Sequence, residues 1–113
     1  MDIEKINYEF GNDLDIFEEL VADFKEEAPA MFQSLEDAHK KGDANEVMIV
    51  AHTFKGVVAN FYSENIKECA FKLEAMGREG NISEAPQHIE ELKSLYSQLL
   101  NDLDSYLNQK KAS

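Results

Sequence analysis

From Asn45 to Phe61 the chain reads NEVMIVAHTFKGVVANF, and its large apolar residues recur at the spacing of one helix face. Wound at about 100° per residue from His52, the segment gathers Val47, Val50, Phe54, Val57 and Phe61 opposite that histidine. Asn45, Met48, Lys55, Gly56 and Ala59 gather around it. The pattern predicts a helix whose apolar stripe enters a core while its imidazole faces away, with an amine one turn on and little side-chain bulk beside it.

The rest of the chain carries the same helical period, broken by short interruptions. Phe17, Leu20, Val21 and Phe24 share a stripe within Asp13 to Glu26, which predicts a first short helix. Pro29 suits the first turn of a second helix that runs to about Lys41 with Phe32, Leu35 and Ala38 inside, and Gly42 stops it. Asp43 and Glu46 have the spacing of a capping box that opens the His52 helix, with Asp in place of the usual Ser or Thr. Ser63 is a candidate cap for a helix with Ile66, Cys69, Ala70, Leu73 and Met76 on its apolar face, ended or frayed by Gly77 and Gly80. Pro86 opens a last helix whose stripe is Ile89, Leu92, Tyr96, Leu99, Leu103 and Tyr106. Alternating strand patterns, hairpin dipeptides and internal repeats are not found. The expected fold is all-α: an antiparallel up-down-up-down four-helix bundle with an additional short N-terminal helix lying across one end. Phe71 fits poorly, since it winds onto the polar side of its helix with Lys67, Glu74 and Arg78. Packing beneath a loop is one reading; isolated exposed apolar area is the preferred one.

Length and composition bound the partners. The 113 residues suit one domain, 1–113, with a core of about 13–108, and 43% hydrophobic content can bury enough to fold. The net charge of −12 disfavours nucleic acid and anionic membrane surfaces. Ten acids crowd the first 27 residues and read as a solvated helix face. The longest apolar run, Val47 to Ala51, is too short to span a bilayer, and MDIEKINYEF lacks the regions of a secretory signal. The sole cysteine, Cys69, excludes an internal disulfide and is consistent with a reducing compartment, so a cytoplasmic location is expected.

The chemistry on offer centres on His52. Imidazole is a neutral nucleophile at cellular pH, and a ring nitrogen can hold a phosphoryl group covalently. Lys55, three residues on, shares its face and can offset phosphoryl charge. Gly56 costs about 1 kcal/mol relative to alanine within a helix, so a reason for it is expected. That reason is either partner access or close helix packing, and its place away from the core favours access. The plain alternatives are a surface histidine and a solvated lysine without roles. His39, near a helix end, reads as structural through the helix dipole, and His88 as exposed. No two histidines have ligand spacing on one helix, so no metal is expected. Cys69 falls on a core stripe as a small hydrophobe. Gly-rich phosphate loops and ATP-binding motifs are not found.

The run Ala51-His52-Thr53-Phe54-Lys55-Gly56 resembles the AHxLKG signature of histidine phosphotransfer (HPt) domains. The resemblance continues through Ala59-Asn60-Phe61 and the Leu73-Glu74 pair. Phe24 to Pro29 and Leu35 to Ala38 look like the family's first two helices. The departures are Phe54 for leucine, Val57 and Val58 for small residues, and Tyr62 where the family commonly has glycine, which leaves the turn there open.

The resemblance implies a phosphocarrier in a His-to-Asp relay, with His52 as phosphoacceptor, Lys55 stabilising the phosphoryl group and Gly56 giving the partner room. It implies as partner the receiver domain of a response regulator or hybrid sensor kinase. That receiver would supply Mg²⁺ and most catalytic groups, and this chain would bind no cofactor. Docking is expected around His52, with Met48, Ala59 and Asn45 in the contact, and the carrier is expected to be a monomer. Two rivals stand beside this reading. A helical adaptor of the same shape would have no need of His52. A helical domain detached from a larger enzyme is disfavoured because no linker-like stretch is found.

Overall fold

The computed structural model describes residues 1–112. Among them lie five α-helices: α1 (Ile3–Phe10), α2 (Leu14–Lys41), α3 (Ala44–Val58), α4 (Glu64–Glu79) and α5 (Ala85–Ala112), with one 3₁₀ turn (Ala59–Phe61) after α3. α3 packs on α2 and α4, and α5 packs on the same two helices, so the four enclose a shared core. No helix among the described residues is long and apolar enough to cross a membrane.

The first two expected helices are one. Pro29 lies inside α2 instead of opening a new element. A proline within a helix costs roughly 3 kcal/mol, and tertiary packing overrides that cost here. Phe24 and Phe32, on either side of Pro29, stack on the same two rings. Their centroids lie 5.8 and 5.5 Å from Phe54, and 5.1 and 5.3 Å from Tyr96. Phe24, Ala28 and Phe32 are all buried. Any break at Pro29 would pull one ring or the other out of a core where each buried aromatic contributes about 1.5–3 kcal/mol.

The short N-terminal helix is α1, a segment that carried no helix in the sequence reading. Asp2 caps it by accepting the Lys5 amide at 3.2 Å. α1 is held by specific contacts. Ile6 is fully buried, the Tyr106 hydroxyl donates to Asn7 Oδ1 at 2.6 Å, and the Asp2 amide donates to the Tyr62 carbonyl at 2.9 Å. Tyr62 itself, in the position left open, adopts φ 52°, ψ 46° at the end of the 3₁₀ turn. That left-handed conformation is unfavourable for a residue with a Cβ. It turns the carbonyl of Tyr62 to the α1 amide that satisfies it.

The stop and the cap before α3 lie where expected, but only half of the capping box forms, because the Asp43 amide donates to the Ala38 carbonyl at 2.8 Å. Gly42 takes φ 70° to end α2, and Asp43 Oδ1 accepts the Glu46 amide at 3.0 Å. The buried stripe of α3 is Val47, Val50, Ala51, Phe54 and Val58, continued by Phe61, while Val57 is only half-buried. The stripe is thus rotated slightly from the expected one, because α2 and α4 flank it on both sides. Ser63 holds the N-cap position of α4, but its hydroxyl accepts no helix amide; it donates to Asn65 Oδ1 at 2.8 Å, and that oxygen accepts the Ile66 amide at 2.7 Å.

Gly77 neither frays nor ends α4; Gly80 does, at φ 77°. Gly77 is buried in the last turn of α4, where an added Cβ would fall 2.5 Å from the Met48 nitrogen and 2.6 Å from the Ala44 carbonyl oxygen. Only a residue without a side chain lets the α3 and α4 backbones meet there. α5 is longer than expected by its ends, and its stripe is buried except for half-buried Tyr96. Ion pairs join α2 to α5: Glu18 with Lys111, Lys25 with Asp104, and Glu36 with Lys93.

The two glycines within helices, Gly56 and Gly77, should respond oppositely to alanine. Gly77→Ala should lose about 1–3 kcal/mol in urea unfolding, as overpacking against backbone forces α3 and α4 apart. Gly56, where a Cβ meets nothing within 4 Å, should gain up to about 1 kcal/mol as alanine. Equal stability of the two variants would contradict the close approach at Gly77.

Candidate functional site

The contact at Gly77 sets two stripes face to face. On α3 it is Met48, His52 and Lys55; on α4 it is Phe71, Glu74 and Arg78, each spaced by three or four residues. Glu74 lies between them and is only 3% exposed. Its Oε2 lies 3.1 Å from His52 Nδ1 and accepts from Arg78 Nη2 at 2.6 Å. Its Oε1 lies 2.7 Å from Lys55 Nζ. A carboxylate out of water is tolerable because three nitrogen groups surround it. The bond with Lys55 holds its carboxyl below the ordinary Glu value, against an upward push from burial, and the His52 contact adds to the lowering.

His52 is 67% exposed although it is anchored at its inner edge. An ionised carboxylate can only accept, so the contact places a proton on Nδ1 and leaves Nε2 as the unprotonated nitrogen of the neutral ring. Lys55 is not the freely solvated lysine of the plain alternative. It is ion-paired with Glu74, and its ammonium sits 5.2 Å from the centroid of the Phe71 ring. Phe71 is half exposed, so the position read as isolated surface area lies beside the histidine site. With two cations and one anion, the cluster carries a net positive charge in a chain of net charge −12.

A shallow hollow of ≈ 270 Å³ adjoins the ring, lined by Met48, Ile49, His52, Thr53, Glu74 and Arg78. Of the residues expected in docking, Met48 is in this lining. Asn45 and Ala59 are exposed but do not line the hollow. Gly56 is exposed with open space above it, so no packing within this chain accounts for the glycine. Ile49 and Arg78 were missed as site residues. Glu74 entered only through the Leu73-Glu74 pair. The available signal was the 71/74/78 stripe itself, whose partner helix cannot be read from one chain. Of the remaining histidines, His39 lies in the last turn of α2, whereas His88 is mostly covered instead of exposed.

Because the Glu74 carboxyl is lowered in the folded state, its pairing stabilises fully above the ordinary Glu value and is lost as pH falls through the lowered one. Wild type should therefore exceed Glu74→Gln in stability at neutral pH, and the gap should close as pH drops below about 4. Urea unfolding of both proteins across pH checks this; a gap that widens with acid would contradict the ionised, paired carboxylate. Nitrogen NMR of the neutral His52 ring should show the Nδ1–H tautomer in wild type and a mixture in Glu74→Ala.

Comparisons with known proteins bear on the family and the fold. The family profile described as "Hpt domain" matches residues 19–102, which include both stripes. No match is found among curated proteins. The crystal structure of histidine-containing phosphotransfer protein B (HptB) from Pseudomonas aeruginosa PAO1 is similar, with a TM-score of 0.87 and 22% identity. The match covers 96% of this chain and 95% of that one. A likeness at that identity speaks for the fold; the profile, matched over most of the chain and across the His52 motif, carries the assignment: this chain belongs to the Hpt domain family.

Proposed function

We propose that the chain is a histidine phosphocarrier of a two-component relay, with His52 accepting a phosphoryl group from a receiver-domain aspartate and passing it to another receiver aspartate. The observation that carries this is the exposed His52 ring fixed through Nδ1 by a buried carboxylate between two cations. The lone pair of Nε2 attacks phosphorus, the N–P bond forms, and the acyl phosphate P–O bond breaks to return the partner's carboxylate. Glu74 offsets the positive charge that develops on the ring. Lys55 leaves Oε1 to meet a phosphoryl oxygen, and Arg78 lies on the same rim. Phosphoryl transfer depends mainly on positioning and charge, so a rigid holder of one nucleophile is sufficient on this side. The receiver supplies Mg²⁺ and the remaining groups, and this chain needs no cofactor of its own.

The receiver docks over the α3–α4 face, with Met48, Ile49 and Phe71 as apolar contacts and the bare helix at Gly56 giving clearance. Asn45 and Ala59 belong to the periphery of that contact. The scaffold in this reading is one antiparallel up-down-up-down bundle of α2 to α5. The ion pairs support it: early α2 residues meet late α5 residues. In this reading the carrier acts as a monomer in the cytoplasm.

Incubation with a phosphorylated receiver should label wild type with acid-labile, base-stable phosphate and leave His52→Gln unlabelled. Label persisting on that variant would refute the site. Lys55→Ala should slow transfer about ten- to a hundredfold, the worth of one hydrogen bond to a charged group, while remaining helical by circular dichroism. Gly56→Gln should fold normally and weaken receiver binding at least about tenfold in calorimetry, as loss of a contact worth about 1.4 kcal/mol would; undiminished binding would remove the clearance role.

A further inference from the structure

Away from His52, a second group of chemically capable side chains lies where α4 meets the start of α5. Cys69 on α4 and His88 and Glu91 on α5 bring a thiol sulfur, a ring nitrogen and a carboxylate oxygen within 4.8 Å of one another. His88 and Glu91 are one helical turn apart, with Nδ1 and Oε2 3.8 Å from each other, beyond hydrogen-bonding distance. Nδ1 of His88 is buried and has no hydrogen-bond partner, which is rare for a polar atom out of water. The Cys69 thiol is also buried, and it donates to the His88 carbonyl at 3.4 Å.

We propose that Cys69, His88 and Glu91 form a three-ligand site for Zn²⁺ or a divalent cation of similar softness, which joins α4 to α5. The donor set of one thiolate, one imidazole and one carboxylate is the one this ion takes, with the fourth position left to water. Tetrahedral bonds of about 2.0–2.3 Å need donor atoms roughly 3.3–3.8 Å apart, so atoms now up to 4.8 Å apart must close by about 1–1.5 Å at most. Glu91 is half exposed, and its carboxylate already lies on the His88 side, 3.8 Å from Nδ1. Coordination displaces the thiol proton to solvent and gives the orphaned Nδ1 a partner. Without a cation, burial and the nearby Glu91 push the Cys69 thiol up to about 11, so it stays protonated and unreactive.

The test uses the full chain freed of metal by chelator, with Co²⁺ as the spectroscopic probe and Zn²⁺ as competitor. One equivalent of Co²⁺ should give a thiolate-to-cobalt charge-transfer band that Zn²⁺ abolishes, and Zn²⁺ should raise the melting temperature. Cys69→Ala should lose the band, and Glu91→Gln, at an exposed position, should weaken Zn²⁺ binding at least tenfold while remaining fully helical. His52→Gln should bind as wild type does, which separates this site from the phosphotransfer histidine. Absence of the band in wild type, or Zn²⁺ binding undiminished in Glu91→Gln, would overturn the proposal.

Discussion

The meeting of two backbones at Gly77 governs the working face of this protein. With no side chain there, α4 lies directly against Ala44 and Met48 of α3. The helices continue from that point at a separation short enough for Glu74, one turn before Gly77, to reach His52 and Lys55 together. Any larger residue would push the carboxylate away from the ring it orients. Packing and chemistry are therefore one constraint: the helix contact that buries apolar surface also sets the tautomer of the exposed histidine.

Electrostatics follow from the same contact. The chain is strongly acidic as a whole, yet Lys55 and Arg78 converge on a single carboxylate and leave a small positive region beside His52. In the proposed transfer, a phosphoryl group approaching Nε2 meets two cations on the same rim. Glu74 keeps both beside the ring, and Lys55 has only to exchange Oε1 for a phosphoryl oxygen when the group arrives. Neighbouring Ile49 and Phe71 are exposed apolar residues in a molecule whose other large side chains are mostly inside. A rim of this kind suits a partner that binds and then leaves.

Departures from the sequence reading share one origin. Local signals at Pro29 favour a helix boundary, yet Phe24 and Phe32 are held by rings from α3 and α5 far along the chain, and the helix runs through. α1 looked like an acidic solvated segment because its anchors, Tyr62 and Tyr106, lie 60 and more residues away. Gly77 looked like a breaker because a glycine near a helix end reads the same whether it ends the helix or admits a neighbour. Phe71 looked idle because the lysine that covers it belongs to another helix.

Helical period, caps and the outward face of His52 are properties of residues three or four apart, so the amino-acid order alone settles them. The all-α class, most of each stripe on α3, α4 and α5, the caps at Gly42 and Asp43, and the shared face of His52, Lys55 and Gly56 were readable in that way. The union of two segments into α2, the docking of α1, the partners of Glu74 and the grouping of Cys69 with His88 and Glu91 were not. Each joins residues on different helices. Whether such residues meet depends on how the helices cross and how closely they approach, and only the packed core fixes those distances.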